Sequence, residues 1–101
     1  MQDRDLVYNE ALKTFGTGSQ LTCVIEELSE LTQIVAKISS GKLDLEDDTT
    51  VAALVDEIVD VEIMLEQLKL IAYIEKSTVD RHKERKLMKL KRRINDYHKL
   101  K

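Results

Sequence analysis

The chain has 101 residues, no proline, three glycines and 35% charged side chains, a length that suits one small domain and a composition that favours long helices over sheets. Its one cysteine, Cys23, excludes an internal disulfide and fits a reducing compartment. No apolar run is long enough to span a membrane, and Met1-Gln2-Asp3-Arg4-Asp5 lacks the basic-then-apolar layout of a signal peptide, so a cytoplasmic protein is expected.

The spacing predicts a first helix over about residues 3–15, with Leu6, Leu12, Phe15 and either Tyr8 or Ala11 facing in, ended by Gly16-Thr17-Gly18. A second helix over 19–39, capped by Ser19 or Thr17, carries Leu21, Val24, Ile25, Leu28, Leu31, Val35 and Ile38 as its expected buried set and stops at Ser39-Ser40-Gly41. After a polar, acidic connection, Asp47, Asp48 or Thr49 caps a third helix expected over 48–76, with Leu54, Ile58, Val61, Leu65, Leu68 and Ile71 or Ala72 inward. Ser77-Thr78-Val79-Asp80 resembles a capping box, which starts a fourth helix at about 78–98 unless helices three and four run on as one. Leu87, Leu90, Ile94 and Tyr97 give that helix a narrow apolar stripe between basic faces. The expected fold is therefore a single all-α domain over 1–101, four-helix-bundle-like, with a core small enough to favour self-association.

Charge is divided along the chain. Residues 80–101 hold ten Lys or Arg against Asp80, Glu84 and Asp96, a surplus of +7, while residues 1–79 stand at −10 and the whole at −3. A basic helix of this kind either contacts nucleic acid, supplies cations to phosphates held at an acidic metal site, or is a solvated face.

Two helical stretches share one pattern: Glu26-Glu27-Leu28-Ser29-Glu30-Leu31 and Asp56-Glu57-Ile58-Val59-Asp60-Val61. At 100° per residue, Glu57 falls within about 80° of Leu54, Val61, Leu65 and Leu68, and Glu27 points into the apolar stripe of its own helix in the same way. Glu30 and Asp60 lie about 60° to one side, and Glu26 and Asp56 about 100°. An unpaired inward carboxylate is costly, and two matched pairs repel one another, so their convergence calls for a cation. Only oxygen ligands share these turns, which suits Mg2+ or Mn2+ and not zinc. His82 and His98 have no ligand-like spacing with either acid pair, and Glu30 and Asp60 stand where a di-iron carboxylate bundle needs histidine. Cys23 has no positioned base and is read as a packing residue.

The pattern Glu26-Glu27-x-x-Glu30, a gap, then Glu57-x-x-Asp60 resembles the all-α nucleoside triphosphate pyrophosphohydrolases of the MazG-like type, in their small phage and bacterial versions. The Phe15-Gly16 and Gln20 lead-in, the stretch from Asp56 to Leu68, and the late spacing of Lys86, Lys89-Leu90 and Arg93-Ile94 extend the similarity over roughly residues 14–94. Lys89 stands where similar members often have Arg, and Asp56 adds an acid before the second motif. The resemblance implies Glu27, Glu30, Glu57 and Asp60 as metal-binding acids, Glu26 as completing the motif, a homodimer or homotetramer, and cleavage of a nucleoside triphosphate to monophosphate and pyrophosphate. Mg2+, with Mn2+ as a substitute, is the implied cofactor, and Glu26 or Glu30 is the expected proton acceptor. Lys37, near the Glu30 edge of its helix, and Lys86 and Arg93 on the fourth helix are the candidate phosphate contacts. The rival reading is a non-enzymatic helical oligomer that binds nucleic acid through residues 80–101. It leaves the inward acids unexplained, and Tyr97 alone offers a ring for stacking, so nucleic acid is not the expected partner.

Overall fold

The computed structural model describes residues 3–100 as four helices with no strand among them: α1 Asp3–Phe15, α2 Thr17–Ser39, α3 Asp48–Ile71 and α4 Lys76–Lys99. No helix of the described residues is long and apolar enough to cross a membrane. The chain passes from α1 to α2 through Gly16 alone, at φ 89, a left-handed conformation that only glycine adopts at little cost. Gly16 donates its N–H to the Leu12 carbonyl and accepts from Gln20 N–H, so it serves both helices, and α2 starts two residues before Ser19 with no side-chain cap.

α2 closes on a Schellman motif: Gly41, at φ 83, donates its N–H to Ile38 O at 3.1 Å, and Lys42 donates to Lys37 O at 2.9 Å. Asp47 then caps α3, accepting from Thr49 N–H at 2.9 Å. The Thr49 hydroxyl and that N–H hold the Asp47 carboxyl below the usual carboxylate range. At its far end α3 stops at Ile71, five residues short of the expected Lys76. The stop is again a Schellman turn, with Tyr73 N–H on Leu70 O and Ile74 N–H on Lys69 O, but its left-handed residue is Tyr73, at φ 55. That placement costs roughly 1–2 kcal/mol in a non-glycine residue. Helices three and four are thus separate, and α4 starts after Glu75 without using the expected Ser77 cap.

α2 and α3 run antiparallel along one another, and α1 lies against α2. Gln20 meets Gln67 at one end and Glu27 meets Glu57 and Asp60 further along, so numbers rise on one helix as they fall on the other. Val24, Val61 and Met64 are the buried apolar side chains of this seam, with Leu31, Ile34, Ile38 and Leu54 half-buried beside them. Tyr8 is buried on α1 and donates its hydroxyl to Glu66 of α3. Burial first, then the Glu66 hydrogen bond and charge, push the Tyr8 phenol up to about 12. Arg4 stands 3.6 Å from the same carboxylate.

Several side chains expected inside are exposed. Leu6 and Phe15 on α1, Leu21, Ile25, Leu28 and Val35 on α2, and Ile58 and Leu65 on α3 lie outside the seam. α2 and α3 are apolar over more of their circumference than one partner helix can cover, so each buries one stripe and leaves the adjacent one wet. α4 buries no residue and packs along none of the other helices, which makes the intramolecular bundle one of three helices. The chain is correspondingly extended, with a radius of gyration of 17.5 Å against about 13 Å for a compact domain of this length.

Candidate functional site

The inward position that helical geometry assigns to Glu57 is the observed one. Its side chain is 8% exposed, midway along α3, between the buried Thr50 and Val61. Glu27, half-buried on α2, faces it, and Asp60, exposed one turn along α3, completes a group whose carboxylate oxygens lie within 4.8 Å of one another. Glu30 borders the same group: its charge acts on Glu57, as does that of Glu27. The repeated motif works here as a matched pair of turns, because antiparallel packing sets the two acid clusters level with each other across the seam.

The electrostatics follow from that crowding. Burial first, then the Glu27 carboxylate, then Glu30, raise the Glu57 carboxyl from 4.5 to about 7. Buried Glu27 Oε2 and Glu57 Oε1 have no hydrogen-bond partner. Leaving a buried polar oxygen unmatched costs on the order of 1–3 kcal/mol in general, so a cation or donor ligand has two oxygens ready to receive it.

The donor set fits a hard divalent cation. Every candidate atom is a carboxylate oxygen, and the group contains no His or Cys among the described residues. Oxygens bound to Mg2+ at about 2.1 Å stand roughly 3 Å apart at right angles and roughly 4.2 Å across the ion. The observed spread of up to 4.8 Å is about 0.6 Å wider than the distance across the ion and about 1.8 Å wider than an octahedral edge, so the acids would draw together on binding.

The remaining candidates sit further out. Glu26 and Asp56 are exposed, on the side of the helix pair that Glu30 and Asp60 also face. Lys37 is exposed on α2 two turns beyond Glu30, about 10 Å along the axis. Lys86 and Arg93 are exposed on α4, which packs along neither α2 nor α3 of its own chain, so a single chain does not hold them against the acids. Cys23 is half-buried and outside the cluster, and His82 lies against Arg85 on α4.

A buried polar pair lies on the same seam as the acids. Gln20, seven residues before Glu27 and so on the same inward line, donates its Nε2 to Gln67 Oε1 at 2.7 Å, both residues buried. Thr50, seven before Glu57, is the buried equivalent on α3. The seven-residue spacing from each inward Glu was the signal available for both. No family model matches this chain, and no curated protein or solved structure matches it either.

Proposed function

We propose that the protein is a Mg2+-dependent nucleotide pyrophosphohydrolase, which splits a nucleoside or deoxynucleoside triphosphate into the monophosphate and pyrophosphate. One observation carries the reading: Glu57, buried at the α2–α3 seam with an unpartnered oxygen, faces the equally unpartnered Glu27 and lies within 4.8 Å of Asp60. A structural role gives no reason to keep like charges together there, and replacing them by apolar groups would favour folding. The similarity of the paired acidic motif to MazG-like enzymes supports the same conclusion.

Glu27, Glu30, Glu57 and Asp60 would hold Mg2+, or Mn2+ in its place. Bound there, the ion would neutralise the triphosphate and lower the pKa of an attacking water. The chain's own part is to fix the acids in register on two rigid helices and to take up a proton. Water adds to phosphorus, the bond between the α- and β-phosphates breaks, and the pyrophosphate oxygen leaves with the electron pair. The water's proton goes to a carboxylate left free of the cation: exposed Glu26, or exposed Glu30 where Glu27, Glu57 and Asp60 hold the ion without it. Lys37, along the same edge as Glu30, is the cation on α2 that can meet a phosphate. Lys86 and Arg93 enter this reading only in an assembly, and a homodimer or homotetramer is part of it.

A second reading has one observation in its favour: α4 is a basic helix exposed from Asp80 to its end at Lys99. Binding of nucleic acid there would be salt-sensitive and independent of Mg2+. It gives no account of Glu57. Incubation with each common NTP and dNTP, with Mg2+ or with EDTA, separates the two. The proposal expects monophosphate and pyrophosphate from the wild type with Mg2+ and neither with EDTA or in Glu57→Gln. Absence of turnover in folded protein with Mg2+ and with Mn2+ would reject it.

A further inference from the structure

The apolar seam between α2 and α3 does not by itself fix how far along one helix the other sits. Leu31, Ile34 and Ile38 on α2 and Leu54, Val61 and Met64 on α3 are buried or half-buried and come at spacings of three, four or seven residues. A step of one turn, about 5.4 Å, therefore sets apolar side chains against apolar side chains again. The connection over residues 40–47 does not oppose such a step, since a chain of that length reaches roughly 26 Å and packed helix axes lie about 10 Å apart. The acids do not tolerate it. Taken in one direction, the step brings Glu27 level with Met64 and Glu57 level with Ile34, and the carboxylate oxygens that lie within 4.8 Å of one another part.

What opposes the step lies one heptad from the acids. Gln20 precedes Glu27 by seven residues and Gln67 follows Asp60 by seven, so the pair sits about 10 Å from the acidic group along both helices at once. Gln20 Nε2 donates to Gln67 Oε1 at 2.7 Å, both residues are buried, and Gln67 Nε2 reaches Met64 Sδ of its own helix at 3.7 Å. A step in either direction sets Gln20 against Ile71 or Ile63 and leaves two buried amides unmatched, a cost that repeating the apolar contacts does not recover. At the rim of the same end, Tyr8 of α1 donates its hydroxyl to Glu66, the neighbour of Gln67.

We propose that Gln20 and Gln67 are positioning residues for the acidic site: their hydrogen bond fixes the register of α2 against α3 and so brings Glu27 level with Glu57 and Asp60. A single buried polar contact in an otherwise apolar helix seam is well suited to that task. Neither amide lies within reach of the ion, and the Tyr8–Glu66 contact is a weaker tie at the exposed edge. The functional consequence rests on the reading of Glu27, Glu57 and Asp60 as a cation site, and the register itself does not.

Paired nitroxides measure the register with no metal present. They are attached at Thr22→Cys on α2 and Ala52→Cys on α3, both exposed positions, in a Cys23→Ser background, and the labelled chain is diluted with unlabelled chain so that the separation is that within one molecule. Gln20→Met with Gln67→Met keeps the side-chain length and removes both amides, and Tyr8→Phe is combined with it to release the rim. This triple variant is expected to stay helical and to melt close to the wild type, while the label separation shifts by about 5 Å or divides into two populations. Mn2+ binding to the unlabelled triple variant, read by electron paramagnetic resonance, is expected to weaken at least about tenfold. Tyr8→Phe alone should keep the wild-type separation. A wild-type separation in the triple variant overturns the inference, as does a full shift in Tyr8→Phe alone or Mn2+ affinity that survives the shift. Should the Met pair fail to fold, Gln20→Leu with Gln67→Leu takes its place and is read in the same way. A wild type that binds no Mn2+, together with the expected shift, rejects the cation site and leaves the register assignment standing.

Discussion

Glu27 on α2 and Glu57 on α3 face each other across the helix seam, each with one buried carboxylate oxygen that nothing satisfies. Two such groups weaken the metal-free fold and strengthen any state in which a cation joins them. Glu57→Leu should therefore raise the melting temperature of the protein in EDTA. The same substitution should remove the stabilisation that Mg2+ gives the wild type, which at a hundred times Kd is about 2.7 kcal/mol, several degrees for a domain of this size. Differential scanning calorimetry of both proteins, with and without Mg2+, reads both effects.

The Glu57 carboxyl gives the pH dependence a definite sign. Its value rises from 4.5 to about 7 on folding, so the folded state binds the proton more tightly than the unfolded chain does. The contribution to stability is complete below about 4.5 and is lost as pH climbs through about 7. Metal-free wild type should lose stability over that interval relative to Glu57→Gln, which has no proton to release there. Mg2+ binding needs the carboxylate, so Mg2+ affinity should rise over the same interval. Calorimetry in EDTA and titration with Mg2+ across pH 5–8 check the two trends.

Tyr73 ends α3 in a left-handed conformation that glycine fits better. Its side chain is 93% exposed and has little packing to lose. Tyr73→Gly should stabilise the chain by about 1 kcal/mol, and Tyr73→Val should destabilise it. Thermal unfolding followed by circular dichroism measures both.

Gln20 and Gln67 satisfy one another inside the α2–α3 seam. Gln67→Leu strands the Gln20 amide and should cost about 1–3 kcal/mol. Replacing both by Leu removes the unmatched group and should return stability close to the wild type. Urea unfolding of the two single variants and the double variant gives the coupling directly.

Much of this architecture was legible in the residues because its signals are local. The inward bearing of Glu57 follows from its spacing to Val61 and Leu54, and Gly41 marks the end of α2 in the usual way for glycine. The end of α3 carries no such mark, since Tyr73 takes a glycine's place, and periodicity alone extends the third helix five residues past its end at Ile71. Periodicity places Ile25, Ile58 and Leu65 inside, yet they are exposed, because it says which side of a helix is apolar and not whether the same chain covers it. The level pairing of the two acidic motifs depends on the register of α2 against α3, a long-range property. The exposure of α4 depends on the turn at 72–75, which no residue there announces.

The central claim is hydrolysis of a triphosphate between its α- and β-phosphates by a cation-dependent site built on Glu57. Phosphorus NMR of a nucleoside triphosphate incubated with the 101-residue chain reads this most directly. The account predicts equal growth of monophosphate and pyrophosphate signals with Mg2+, silence in EDTA, and loss of at least about a hundredfold in Glu57→Gln. Release of orthophosphate with diphosphate, or turnover that Glu57→Gln leaves intact, would contradict it.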